Sequence, residues 1–410
     1  MELMKKQIKI RLTLMMFFEY FIWSTWYVTL GTWLRQSLHF SGRQIGLVSG
    51  TTAIGAIVSP FFIGLVADRL FATQKVLAAL HGLGASLLLL ASSRSSFGPL
   101  FFLLLLYALC YMPTLALTNS LAFRLMRDPK LEFGPIRVLG TVGWIIAGLL
   151  IGNLRLEATA MPLRIAALAS LIMAAYCLTL PDTPSLAGST KRSLRGVFPV
   201  KAARLFLKRS FAIFTLTSFL ICIPLQFYYA FTNLFLNEIG VKNAVGKMTG
   251  GQMSELFCML LIPWFFRRLG VKYMLVAGML AWTIRYVLFA FGNNGQDMRM
   301  LWLGILLHGI CYDFFFVTGQ IYVDRKAPLA LRAAAQGLIT LITYGAGMLL
   351  GSWLSGSVVD HYAYVSPSGA MMHNWQSIWL IAAVWSASAL ILFIPTFSDN
   401  ERIPGFGKEF

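Results

Sequence analysis

Between Gly98 and Phe123 the chain reads GPLFFLLLLYALCYMPTLALTNSLAF, and the first charged side chain after it is Arg124. The hydrocarbon core of a bilayer is about 30 Å thick and takes about 20 mostly apolar residues in a helix. Lipid offers no hydrogen bonds, so a spanning backbone must be an α-helix or a strand of a closed barrel. A barrel strand would alternate apolar and polar residues. This run does not alternate, and it reads as a transmembrane helix.

Runs of the same kind lie on both sides of it. Apolar stretches between charged or Pro/Gly-rich breaks predict spans near 10–34, 44–66, 75–93, 98–124, 135–154, 162–180, 210–236, 248–266, 272–292, 299–323, 332–358 and 374–396. The fold class expected is an all-α membrane protein of twelve transmembrane helices. Composition agrees: 58% of the 410 residues are hydrophobic, 12% are charged and the mean hydropathy is +0.71. A soluble domain carries about 25% charged residues. Cys110, Cys177, Cys222, Cys258 and Cys311 all fall within apolar runs, with no CxxC pair. They read as packing residues, not disulfides or metal ligands. The basic N-terminus runs into a first span longer than a signal-peptide core, with no small-residue cleavage site, and is expected to stay attached.

The formal net charge of +18 would suit nucleic acid if the basic residues were clustered on a soluble face, but their placement gives another meaning. Of the 34 Lys and Arg, Arg35, Arg43, Arg94, Arg155, Arg164, Lys242, Lys247 and Arg299 fall in the loops that follow odd-numbered spans. Arg285 lies inside the ninth span, and the rest lie at the opposite ends. The positive-inside rule then puts both termini in the cytoplasm and the protein in the cell (inner) membrane, its basic side against anionic lipid headgroups, with no nucleic-acid partner.

The long hydrophilic interruption at 181–209 follows the sixth span. It divides the chain into an N-terminal six-helix bundle (1–180), a basic cytoplasmic linker (181–209), a C-terminal six-helix bundle (210–398) and a cytoplasmic tail (399–410). Two echoes about 200 residues apart point to duplication: Asp68-Arg69-Leu70 with Lys75 against Arg267-Arg268-Leu269 with Lys272, and Cys110-Tyr111 against Cys311-Tyr312. Internal repeats of this kind belong to transporters whose substrate site lies between the halves near the midplane.

Gly64-Leu65-Val66-Ala67-Asp68-Arg69, between the second and third spans, resembles the cytoplasmic loop signature of the major facilitator superfamily. Asp68 and Arg69 would there latch neighbouring helices. A narrower resemblance covers nearly the whole chain. Tyr111-Met112-Pro113-Thr114 with Thr118-Asn119, Pro135-Ile136-Arg137 with Gly140-Thr141, Gln252 with Ser254-Glu255, Asp313-Phe314-Phe315, and Arg332 with Ala335-Gln336-Gly337 resemble the nucleoside:proton symporter family. The resemblance implies a major facilitator fold and proton-driven nucleoside import, with Arg137, Thr141, Gln226, Gln252 and Glu255 in binding or transport. Tyr229 stands where that family would have Asn, and His308 where Tyr is common. Both differences bear on which groups of base or ribose are bonded.

Ionisable residues inside a span cost roughly 2.5–3.5 kcal/mol each on insertion scales and need a reason. Gln252 precedes Glu255 by about one turn, and Gln226 reaches a similar depth from the seventh span. A carboxylate beside two amides suits ribose hydroxyls and base edges, or else forms a polar clamp between spans seven and eight. His308 and Tyr312, four apart, share one face of the tenth span, as a cavity wall or as packing. Arg285 and Asp313, at comparable depth on consecutive spans, are expected to neutralise each other, with proton coupling the alternative role for Asp313. Arg137, Thr141 and Trp144 form a stripe of the fifth span, where Arg137 is either a gate or a clamp for Glu19. Asn119 offers hydrogen bonds to substrate or to a neighbouring helix, and Trp23 a stacking surface. Glu255 is the expected proton acceptor, since a carboxylate in a low-dielectric cavity can load and release a proton near neutral pH.

The reading is therefore a monomeric secondary transporter importing a nucleoside with a proton, needing neither cofactor nor metal. Rivals are a facilitator-type carrier of a sugar or related solute, an uncoupled uniporter, and a membrane receptor. An enzyme is disfavoured: there is no HExxH, GxSxG or P-loop pattern.

Overall fold

The computed structural model describes residues 2–62, 72–126, 128–183 and 202–398. Asp68 and Arg69, most of the 181–209 linker and the tail from 399 lie outside the described residues.

Twelve helical passages follow one another in the predicted order. The first is Glu2–Tyr27, continued after a turn by Leu30–Gln36. The second is Gly42–Ser49 with Thr51–Phe62, and the third to sixth are Thr73–Ala91, Phe97–Leu125, Pro129–Asn153 and Met161–Cys177. The seventh is Arg209–Glu238. The eighth and ninth are two parts of one run, Ala244–Phe291, broken at Gly270. There φ is +66° and ψ 179°, a backbone state that L side chains rarely adopt.

The tenth passage, Met298–Lys326, carries a π-helical turn at Asp313–Val317. The eleventh, Ala334–His361, carries another at Leu341–Gly347. Such turns add a residue and shift the face presented by everything beyond them. Trp375–Thr396 is the twelfth, after a short hairpin of Ala363–Val365 and Met371–His373. Among the described residues, eight helices are long and apolar enough to cross a membrane on those criteria alone. That number is below twelve because the eighth and ninth spans count as one, Met161–Cys177 is short, and the first two spans are interrupted by turns or charges.

By packing, the chain forms two compact units. One comprises the described residues of Met1–Phe198 with Gln226–Thr249 and Tyr344–Ala363. In it the first and fifth spans approach so closely that a Cβ on Gly143 would collide with the Phe17 carbonyl. Two carboxylates fasten the later segments into this unit. Glu157, in the turn between the fifth and sixth spans, accepts from Asn233 Nδ2 and Asn237 Nδ2, each at 2.7 Å, and from the Val245 amide at 3.3 Å. Asn233 Oδ1 accepts in turn from the Thr32 hydroxyl at 2.5 Å. Asp360 accepts from the amides of Gly42 (2.5 Å) and Arg43 (2.9 Å), capping donors that helix geometry leaves open at the start of Gly42–Ser49.

The other unit comprises the described residues of Pro199–Leu225, Gly250–Thr343 and Tyr364–Phe410. Its centre is aromatic. Tyr286 stacks between Trp282 and Trp379, both at 5.8 Å, and its hydroxyl donates to the Pro224 carbonyl at 2.6 Å. Trp385 Nε1 donates to the Leu220 carbonyl, tying the twelfth span to the seventh.

Candidate functional site

In the first unit, Trp23 lies edge-on to Trp144 at 5.6 Å and to Tyr111 at 6.1 Å. Tyr27, one turn from Trp23, sits 5.9 Å from it and 5.9 Å from Tyr229. Ser24 donates to the Trp144 carbonyl, so the first and fifth spans hold these rings in register. Several polar atoms of this unit are incompletely used. Trp23 Nε1, Gln226 Oε1 and Asn119 Oδ1 are buried without a hydrogen-bond partner. A buried polar atom left unpaired is costly, so such atoms mark where a polar ligand would be bonded. The Arg137 guanidinium lies 3.8 Å from the centre of the Tyr20 ring, a cation–π contact, and Thr141 follows one turn later, half-buried.

Glu19 is wholly buried in this unit, with a partner at each carboxylate oxygen. His81 Nε2 lies 3.1 Å from Oε2, the Thr114 hydroxyl donates to Oε1 at 2.6 Å, and Tyr111 donates to the Glu19 carbonyl. The expected Glu19–Arg137 pairing does not form. Their helices adjoin, but Glu19 turns towards the third and fourth spans while Arg137 packs on the neighbouring Tyr20. His81 was not foreseen, although an ionisable group within an apolar run is the signal that singled out Glu19.

In the second unit, the eighth and tenth spans meet at Gly309, whose added Cβ would run into the Ser254 carbonyl. The Gly309 amide donates to Ser254 Oγ at 3.0 Å. This close approach brings the next residues together: His308 Nε2 stands 3.8 Å from Glu255 Oε2. The His308 side chain is 1% exposed and that of Glu255 17%. On its other side, His308 Nδ1 lies 2.9 Å from Arg285 Nη1. Arg285, buried, also faces the rings of Trp282 and Phe289 at 5.4 and 5.5 Å. Tyr312 lies 5.8 Å from the His308 ring and 5.2 Å from Phe316. Gln252 is buried one turn before Glu255.

The expected neutralisation of Asp313 by Arg285 does not form. Arg285 meets His308, whereas both carboxylate oxygens of Asp313 are buried with no hydrogen-bond partner. Asp313 is five residues beyond His308 and opens the π-helical turn, so it presents another face. Among the described residues, no group of three or more His, Cys, Asp or Glu could hold a metal ion.

Twelve apolar helices carrying buried acids, amides and aromatic rings at mid-span define a secondary membrane transporter of the major facilitator fold. The chain belongs to the nucleoside H+ symporter family, whose sequence pattern it matches over residues 6–402, and it is not an enzyme. It is 44% identical over 403 residues to the putative nucleoside transporter YegT of Escherichia coli K12, covering 95% of this chain and 94% of that one. It is 35% identical to the xanthosine permease of the same strain over 408 residues, 96% of each. The crystal structure of the nucleoside transporter NupG matches with a TM-score of 0.87 at 32% identity, over 96% of this chain and 100% of that one.

Proposed function

We propose that the protein imports nucleosides together with protons across the cell (inner) membrane, as a monomer with both termini in the cytoplasm and in contact with membrane lipids. Two six-helix halves, 1–180 and 210–398, joined by the linker 181–209, alternate access to the substrate. Glu255 accepts the proton, with Gln252, His308 and Tyr312 beside it. Gln226, Tyr229, Trp23, Trp144, Asn119, Arg137 and Thr141 bind the nucleoside or position the groups that do.

The observation that carries this is the state of Glu255. It is a mid-span carboxylate, still partly exposed, facing a fully buried imidazole at 3.8 Å. The test is uptake of labelled uridine or adenosine into vesicles with and without an imposed pH gradient. Glu255→Gln is expected to abolish gradient-driven accumulation, and a variant that accumulates like wild type refutes the assignment. Competition by hexoses in place of nucleosides would point to a sugar carrier.

A second reading assigns the proton to Asp313, supported by its two unpartnered buried oxygens. Asp313→Asn then loses accumulation while Glu255→Gln keeps it.

A further inference from the structure

A charged guanidinium deep in a membrane span has to be accounted for, and Arg285 no longer has Asp313 to explain it. The contact it makes constrains the chemistry of its neighbour. Arg has five N–H donors, no acceptor, and does not lose its proton in proteins. At 2.9 Å from Arg285 Nη1, His308 Nδ1 therefore receives a hydrogen bond and holds a lone pair. In a neutral imidazole the other nitrogen then carries the hydrogen. That nitrogen, Nε2, is the one facing Glu255 Oε2.

We propose that Arg285 is a positioning residue for proton-coupled transport: by donating to Nδ1 it fixes His308 as the Nε2–H tautomer, so the imidazole offers Glu255 a donor and takes no proton itself. The inference rests on the reading of Glu255 as the working carboxylate. Among the described residues, the charged and titratable groups beside this cluster are Glu255 and Cys258 on the eighth span, Arg285 on the ninth, and Cys311 and Tyr312 on the tenth itself, with Asp313 on another face of the tenth. Of these, only Arg285 is positively charged, and it occupies the nitrogen that would otherwise accept the proton. A second protonation there would place two donors head to head, with an imidazolium against a guanidinium.

The direct test is nitrogen resonance of the full-length protein labelled at its five histidines, with His308→Gln identifying the signal. For His308 the expected result is a bare Nδ1 and a protonated Nε2 that persist well below the ordinary imidazole value of about 6.5. A protonated Nδ1, or titration near 6.5, overturns the proposal.

Arg285→Met frees Nδ1, so the hydrogen is then expected to divide between the two nitrogens and the bare Nδ1 signal of His308 to shift towards a protonated one. Arg285→Lys, which keeps a donor, is expected to hold Nδ1 bare. A His308 resonance unmoved by Arg285→Met overturns the proposal; if that variant fails to fold, the wild-type spectrum decides alone. The resonance reports the tautomer whichever acid carries the transported proton, so it succeeds or fails independently of Glu255→Gln.

Discussion

Each compact unit contains a mid-span glutamate facing a buried histidine, and the two pairs are built differently. Glu19 is sealed: His81 lies at 3.1 Å, Thr114 fills the second oxygen, and nothing is exposed. Glu255 is open: His308 stands 3.8 Å away, and the carboxylate is 17% exposed. A fully buried carboxylate with a partner on each oxygen acts as a clamp between the first, third and fourth spans. A carboxylate that keeps part of its surface exposed can take a proton or a ligand group. The two glutamates share a residue type and a histidine neighbour and differ in exposure, 0% against 17%.

The largest expected effect is on the sealed pair. Removing one partner of a buried pair strands the other, at a cost of about 3–5 kcal/mol, so Glu19→Ala should sharply lower the unfolding temperature of the purified protein. Replacing both, as Glu19→Leu with His81→Leu, is expected to recover most of that stability and to keep proton-driven uptake. A stable double variant that has lost coupling would show that the clamp also works in transport.

Thr114→Val removes one hydrogen bond to the carboxylate and should cost about 1–3 kcal/mol in the same thermal assay, with uptake retained. Glu255→Gln keeps the shape and loses a charge that is partly exposed, so its stability is expected within about 1 kcal/mol of wild type even as accumulation fails. A loss as large as that of Glu19→Ala would make Glu255 a clamp too. Smallest of all is Arg332→Ala. Its 3.2 Å bridge to Asp324 has both side chains over two-fifths exposed, and water leaves such a pair about 0–0.5 kcal/mol.

The helices were legible because each is written as an uninterrupted apolar run, and even the turn joining the eighth and ninth was marked by Arg267-Arg268-Leu269-Gly270. Depth was used as well: counting residues at about 1.5 Å each set Gln226 level with Glu255 and Arg285 level with Asp313. Partnership was not legible. Which groups meet depends on how each helix is rotated about its axis, and apolar lipid-facing and protein-facing residues look alike in sequence. Asp313 and Arg285 were matched by depth, yet the face of the tenth span that meets Arg285 carries His308. Glu19 was matched to Arg137 across the right pair of helices and went to His81 and Thr114 on two others. Gln226, Asn119 and Trp23 stood out as polar or aromatic residues within spans, but which of their atoms lack a partner depended on the placed side chains.

The bonds made by Glu157 also set an order of events while the chain is being made. Its partners Asn233, Asn237 and Val245 come 76 to 88 residues later. At roughly 5–20 residues per second, about 4–18 s pass between synthesis of the acid and of its donors. Throughout that interval the turn between the fifth and sixth spans has a carboxylate needing water. The first six helices can therefore enter the bilayer but cannot close that turn, and the nascent protein waits for its seventh helix to dry it.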